Sequence, residues 1–367
     1  VPDATTLDDL VRQTTERLAE GRRGAVVAGA VLGAESACHG AGVTGSADGH
    51  SPGPRTLFEI GSVSKTFTAL ALARLAVAGT VQLQQPLREL LPADARIPQK
   101  NGREIRLIEL STHTSGLPRL PKGMLPRALL PHRDPYAGCT PDSLLAGLAR
   151  TRLRREPGRA HHYSNLGAGI LGLALAHHTG RDYDTLIREE ICTPLGMADT
   201  AVALTGEQTA RLAQGHKRRG TPTGRWSMAG LAGAGGVHST GADLLTLLRF
   251  ELDSAAGAPG TGGELAEAAR LTQEAGHRLN PRTQIHPGWV GLDTVQRQGG
   301  HRVLFHNGAT GGYRSMVALA PDQGAAVVIL RAQQRSTDRE ALMLLDRLLR
   351  TGAAAGRDDE GSAAAAG

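Results

Sequence analysis

The stretch from Ser64 to Ala78 constrains the fold of this chain more than any other. It reads SKTFTALALARLAVA, a run of good helix formers with apolar residues on nearly every side. A helix that is apolar all round has to be buried, so the rest of the chain must build layers around it. Gly79 closes it as a C-cap would. Its first turn carries Lys65, and Phe58-Glu59-Ile60-Gly61 leads into it. Burial at that point disfavours an ammonium and lowers the pKa of the lysine.

The surrounding layers can be read at both ends of the chain. Leu7, Leu10, Val11, Thr14 and Leu18 follow helical spacing and predict an amphipathic opening helix. Gly24 to Gly33 and Ala41 to Thr44 read as short strands. Three more strands, His301 to Asn307, Tyr313 to Ala320 and Ala325 to Arg331, are joined by tight connections, as in an antiparallel meander. Asp338 to Leu349 reads as an amphipathic closing helix. The long middle has helical patterns near Asp142 to Ala149, Leu166 to His178 and Tyr183 to Ile191. Ser239 is placed as the N-cap of a helix running to about Leu252, and Gly257 to Gly263 as a loop.

Terminal segments that share one sheet, with a helical insertion between them, explain this order. The expected fold is α/β plus all-α: an antiparallel five-stranded sheet flanked by the N- and C-terminal helices, together with a helical domain. Residues 1–60 and 236–350 are assigned to the sheet domain and 61–235 to the helical one. Residues 351–367 are rich in Ala, Gly and Asp and are expected to form a disordered tail.

Three short motifs carry the chemistry. Ser62-Val63-Ser64-Lys65 stands at the head of the buried helix. Ser62 and Lys65 are three apart and share a helix face, with Cβ atoms ~5–6 Å from each other. A serine hydroxyl needs a base to become a nucleophile, and a lysine of lowered pKa can be one. The helix N-terminus also aims N–H groups at the site, which suits an oxyanion. Tyr163-Ser164-Asn165 follows the Pro157-Gly158 turn. A phenol near a lysine can shuttle protons, and an amide can hold a substrate carbonyl or the lysine. His306-Asn307-Gly308 ends an apolar strand, so His306 and Gly308 point the same way, and the glycine lets a substrate lie along the strand. Chance would supply S-x-x-K about 0.16 times and Y-x-N about 0.04 times in this composition.

Composition excludes several other classes. The chain has 41 basic residues, and only Lys65, Lys100, Lys122 and Lys217 among them are lysine, a pattern of GC-rich coding. Net charge is +6 and the few aromatics are scattered, which argues against nucleic acid as a partner. No apolar run reaches the ~18 residues of a membrane span. Cys38, Cys139 and Cys192 are too far apart for a disulfide framework or a zinc ribbon. His161-His162 and His177-His178 are adjacent pairs that rarely converge on a metal, so no metal or cofactor is expected. The dense run from Arg150 to Arg159 reads as a solvated face, with an anion-binding rim as the alternative. No signal peptide is visible. Val1 is read as a GTG start, which makes a cytoplasmic location the expectation; a periplasmic or secreted mature form is the alternative.

Together the three motifs resemble those of the serine β-lactamase and penicillin-binding protein superfamily. The Y-x-N form is similar to the branch of class C β-lactamases, D-alanyl-D-alanine peptidases, esterases and transacylases. The flanking FEIGSVSKTFTA, LSTHTSGLP, PLGM, GAGGVHST and GATGGYRS agree, and the resemblance runs from about Leu7 to Leu349. It implies a β-lactamase-like fold of the class C type with the site between the two domains.

Carried over by position, the resemblance makes Ser62 the acylated nucleophile and Lys65 its base or proton relay. Tyr163 would activate the second nucleophile, and His306 would orient Tyr163. Asn165 would bind the acyl side chain, with Asn307 and Gly308 also contacting substrate. The backbone N–H groups of Ser62 and Ala309 would form the oxyanion hole. Class C β-lactamases usually have Lys-Thr-Gly where this chain has His306-Asn307-Gly308, and an asparagine near Arg331-Ala332-Gln333. Both departures count against efficient β-lactam hydrolysis.

The expected function is therefore acyl transfer through acyl-Ser62 from a small-molecule ester or amide to water or an amine, as in an esterase or a transacylase of specialised metabolism. The alternatives are a β-lactamase or D-alanyl-D-alanine carboxypeptidase, and a non-catalytic acyl-binding module. Oligomeric state is not legible.

Overall fold

The strands nearest the two ends of the chain pair with each other. In the computed structural model, which describes residues 6–45, 49–121, 134–294 and 300–364 (backbone only over 352–364), β1 (Ala25–Leu32) runs antiparallel to β10 (Ala325–Arg331). Between them in the chain come β2 (Glu35–Gly42), β3 (Leu57–Glu59), β4 (His238–Thr240), β5 (His277–Asn280), β6 (Thr283–His286), β7 (Trp289–Asp293), β8 (Arg302–Ala309) and β9 (Arg314–Ala320). Eight of these form one antiparallel sheet in the order β2-β1-β10-β9-β8-β7-β6-β5, and β3 pairs with β4 apart from it. β1 and β10 are buried on both faces, which explains their apolar sequence, broken only by Arg331 at the end of β10.

The expected five strands are thus eight. The additional β5, β6 and β7 are four or five residues long, and β5 is largely exposed. β5 and β6 are too short and polar to show an apolar alternation, and in β7 the alternation around Trp289 spans only five residues. Of Ala41 to Thr44, only Ala41 and Gly42 are strand, the end of the longer β2, and Val43 and Thr44 lie beyond it.

Eleven helices are described. α1 (Leu7–Ala19) opens the chain, α2 (Ser64–Val77) is the apolar helix, and α3 (Leu107–Ser111), α4 (Pro141–Ala149), α5 (Asn165–Thr179) and α6 (Tyr183–Ile187) follow. Then come α7 (Gly206–Ala210), α8 (Ala232–Gly235), α9 (Gly241–Ala256), α10 (Gly263–Glu274) and α11 (Asp338–Ala364). Thr240, one residue past the expected Ser239, caps α9 by accepting from the Asp243 N–H at 3.1 Å. α11 continues through the segment expected to be disordered, as far as Ala364. Its alanines are strong helix formers, and a helix already anchored by packing extends cheaply. Residues 1–5 and 365–367, with Val1 and the end of that expected tail, lie outside the described residues. Among the described residues no helix is long and apolar enough to cross a membrane.

Two cores flank the sheet. On the outer face, Leu10, Val11 and Leu18 of α1 and Leu344, Leu345 and Leu348 of α11 pack on Val26, Val327 and Ile329. On the inner face Val27, Val31 and Val328 join a larger core that runs through α9 and α2 into the helical part of the chain. α2 is buried along nearly its whole length, as its sequence requires. Phe67, Leu70, Leu72 and Leu75 are among the buried residues, each contributing roughly 1.5–3 kcal/mol by leaving water. That packing fixes the head of α2, and with it the residues that carry the chemistry.

Candidate active site

The chain reaches α2 through a turn that only glycine fits. Gly61 has φ +51°, in the left-handed region, and a Cβ there would sit 2.7 Å from the Ala309 nitrogen. A Cβ on Gly308 would sit 2.0 Å from the Ile60 oxygen. β8 therefore passes directly against the turn, where the Ser315 hydroxyl also donates to the Ile60 carbonyl at 2.7 Å. The turn sends the two serines of the first motif in different directions. Ser64 is buried, and its hydroxyl accepts from the Val237 N–H at 3.0 Å. Ser62 is half-buried and lines an open cleft of about 610 Å³.

Lys65 lies beneath Ser62. Its ammonium donates to Ser62 Oγ at 3.0 Å, Asn165 Oδ1 at 2.9 Å and the Ala234 carbonyl at 2.6 Å. Those three acceptors use its three N–H groups, and none is a carboxylate. Burial, the largest influence, lowers its pKa; Tyr163 opposes the shift and Arg119 adds to it.

Tyr163 approaches Ser62 from the other side. Its hydroxyl donates to Ser62 Oγ at 2.7 Å, and Lys65 Nζ lies 4.9 Å from its ring centre. Burial alone would raise the phenol's pKa, but Lys65, the Ser62 hydrogen bond and Arg119 together hold it below its ordinary value. Ser164 caps α5, accepting from the Gly167 N–H at 2.9 Å and donating to the Pro118 carbonyl at 2.7 Å. Asn165 enters the helix with its amide turned to Lys65, so the structure uses it on the lysine.

The third motif divides. His306 is buried on the α2 side of the sheet. Its Nδ1–H donates to the Asn307 carbonyl at 2.8 Å, the only polarity a carbonyl partner permits. Burial, then the charge of Lys65, pushes its pKa down to about 3, against the pull of that hydrogen bond. It is therefore neutral, and among the described residues no hydrogen bond joins it to Tyr163, which it was expected to orient. Asn307 alternates to the other face, where its amide donates to Asp338 Oδ2 at 2.8 Å at the cleft rim. Gly308 and Ala309 line the cleft itself. Thr310 N–H donates to Tyr313 O across the β8–β9 turn, so by ladder alternation the Ala309 N–H faces away from β9. The Ser62 N–H lies in the first turn of a helical segment, where backbone donors have no intrahelical acceptor. Ser62 and Ala309, whose N–H groups are the expected oxyanion donors, line the same cleft.

Sequence reasoning missed several residues. His113, in the flanking stretch LSTHTSGLP, stacks on Tyr163 with ring centres 4.5 Å apart. Arg119 lies over the same ring at 5.2 Å, and Arg314, Tyr136 and Trp226 line the cleft. Arg119 and Arg314 return positive charge to a site whose third motif has lost its lysine. In a chain so rich in arginine, neither stood out by type. His113 had a signal in its place within LSTHTSGLP. The run Arg150, Arg152, Arg154, Arg155 and Arg159 is exposed, away from the residues that line this cleft. His177 and His178 donate to the Leu90 and Thr80 carbonyls, which accounts for one histidine pair.

Comparison with known proteins gives the family and the fold. A family model described as Beta-lactamase matches residues 7–350. The D-alanyl-D-alanine-carboxypeptidase/endopeptidase AmpH of Escherichia coli (strain K12) is 30% identical over 285 residues, covering 76% of this chain and 71% of that protein. A β-lactamase of Pseudomonas fluorescens is 27% identical over 300 residues, covering 75% and 79% of the two chains. The crystal structure of a β-lactamase/D-alanine carboxypeptidase from Yersinia pestis superposes with a TM-score of 0.78 at 24% identity, covering 95% of this chain and 98% of that one. At that identity the last likeness shows the fold alone, and the fold is that of class C β-lactamases.

Proposed function

The chain belongs to the β-lactamase family of serine hydrolases, and from that premise we propose that it cleaves an amide or ester beside a carboxylate, in the manner of a D-alanyl-D-alanine carboxypeptidase. One observation carries the reading: Ser62 Oγ is held at 2.7 Å by Tyr163 and 3.0 Å by Lys65 at the floor of an open cleft. Relatives that act on D-alanyl peptides and β-lactams support the substrate class, as do the two cleft arginines, since a guanidinium pairs well with a carboxylate.

The roles follow from the geometry. With Lys65 or Tyr163 deprotonated, the hydrogen bond to Ser62 reverses and the serine gives up its proton as Oγ attacks the carbonyl carbon. Negative charge builds on the carbonyl oxygen between the Ser62 and Ala309 N–H groups. The Tyr163–Lys65 pair returns the proton to the leaving amine, and acyl-Ser62 remains. Water then attacks the acyl carbon as it loses a proton to the same pair; the bond to Ser62 Oγ breaks, the pair returns the proton to Oγ, and the acid leaves. Neutral His306 keeps a further positive charge away from Lys65, which helps the lysine deprotonate.

Intact-mass spectrometry of the protein with a peptide ending in D-alanyl-D-alanine tests the reading. An adduct on Ser62 and free D-alanine are expected, with neither from Ser62→Ala. Transfer to an amine, the outcome the motifs first suggested, shares every step up to acyl-Ser62. Adding amines to an ester reaction separates the two: an amide product supports transacylation, and acid alone supports the hydrolase.

A further inference from the structure

A second cavity, of about 710 Å³, opens on the outer face of the sheet. Arg17 and Arg22 near the end of α1, Arg218, Arg331 at the end of β10, and Arg335 and Arg339 beside the start of α11 all line it. Glu340 is the one carboxylate among its lining residues. Elsewhere arginines pair readily: Arg211 with Asp199 at 2.5 Å, Arg181 with Glu190 at 2.7 Å, Arg74 with Glu264 at 2.5 Å. Among the described residues, none of these six has a carboxylate within 4.0 Å.

Arg331 anchors the groove. It is 5% exposed, donates to the Leu18 carbonyl at 2.9 Å and the Ser336 carbonyl at 3.4 Å, and its buried Nε has no partner. The Nε of Arg335 is likewise buried without a partner. Arg22 and Arg335 add like charge beside Arg331, against the single opposing Glu340. Guanidinium does not lose its proton, so the groove holds a fixed concentration of positive charge with donors to spare.

Coding bias explains why the chain has many arginines; it does not explain why six converge here without acids. Guanidinium forks match phosphate oxygens bidentately. So many against one carboxylate suit a ligand with several negative charges, and the volume falls in the range of small-molecule sites. We infer that this groove binds a small molecule bearing an oligophosphate group. Gln334 and Ser336 line both this groove and the Ser62 cleft, so only the turn between β10 and α11 separates them. The inference does not depend on the proposed chemistry of the cleft.

Calorimetric titration of the full chain with inorganic tripolyphosphate, at ionic strength matched with sodium chloride, tests it. Saturable one-to-one binding is expected. The double variant Arg22→Glu/Arg339→Glu changes two exposed side chains and should weaken binding at least tenfold; its melting temperature without ligand reports an intact fold. Arg335→Ala should weaken binding to a smaller extent. Heats no larger than those of the salt control, or binding left intact in both variants, would overturn the site. A parallel arm compares ADP with pyrophosphate: tighter ADP binding assigns the phosphates to a nucleotide, and equal binding assigns recognition to the phosphates alone.

Discussion

Among the described residues one lysine and one arginine are buried, on opposite sides of the sheet, and they are held differently. Lys65, on the inner face, gives each N–H to an uncharged oxygen and leaves no donor spare. Arg331, on the outer face, binds two carbonyls and keeps a buried donor free. Burial pushes both towards losing a proton, but a guanidinium keeps its own in a protein whereas a buried lysine can give its proton up. A cation that can become neutral suits a reaction; one that cannot suits recognition. In a chain that uses arginine almost everywhere, the lysine stands where a proton must move.

The largest effect should come from erasing that difference. Lys65→Arg keeps the charge and removes the base, and turnover of a reporter ester should fall roughly a thousandfold. Turnover within tenfold of the parent would mean that Lys65 acts by charge alone.

Glu251 extends the comparison to a buried anion. It is 1% exposed and accepts from Gln273 Nε2 at 2.6 Å, while Gln273 Oε1 lacks a donor. Burial pushes its pKa up to about 8, against the pull of that hydrogen bond. A raised carboxyl pKa means full stability below the ordinary value of 4.5, lost as pH rises through about 8. The cost is roughly 1.4 kcal/mol per pH unit across that window. Glu251→Gln supplies a permanent donor and should flatten this slope in denaturation from pH 5 to 9. Equal slopes in the two proteins would place the pH dependence elsewhere.

Arg331→Met tests the other cation as a structural group. The Leu18 and Ser336 carbonyls lose their donor, and stability should fall by about 1–3 kcal/mol. An unchanged denaturation midpoint would show that α1 does not need Arg331 and that the groove alone accounts for it.

What the sequence revealed follows the same physics. α2 was legible because no exposed helix could carry its residues, and Ser62 and Lys65 because their spacing on that helix fixes their distance. That both ends of the chain share one sheet could be read from their apolar runs, whereas the direct pairing of β1 with β10 is seen only in the structure. β5 and β6 could not be read, because they are short, polar and partly exposed, nor could β7, whose alternation around Trp289 runs for only five residues. Asn307 and His306 stand next to each other in the chain but face opposite sides of the sheet, so a shared motif did not mean a shared site. Arg119 reaches the cleft from a loop and Arg314 from the start of β9, and composition hid them.

The smallest effect expected concerns His113, which bridges these two kinds of legibility. It is a non-glycine residue at φ +58°, a conformation that costs energy and persists only when its surroundings hold it. Its carbonyl accepts from the His162 N–H at 2.7 Å, and its Nδ1 from the Ser164 N–H at 3.3 Å. The residues on both sides of Tyr163 are thus fastened to His113, and its ring packs on the phenol between them. Burial, then the charges of Lys65, His306 and other histidines, hold it neutral, with the proton on Nε2. His113 is then a positioning residue for Tyr163 and moves no proton itself. His113→Phe keeps a ring but loses the acceptor; kcat should drop roughly tenfold with KM little changed. His113→Asn tolerates the left-handed backbone and keeps an acceptor, so it should recover part of that loss. The pH profile of kcat should keep its shape in both variants, because no titration of His113 is being removed. A new inflection in either would mean that His113 exchanges protons with the Tyr163–Lys65 pair, and an undiminished kcat in His113→Phe would show that Tyr163 holds its place without it.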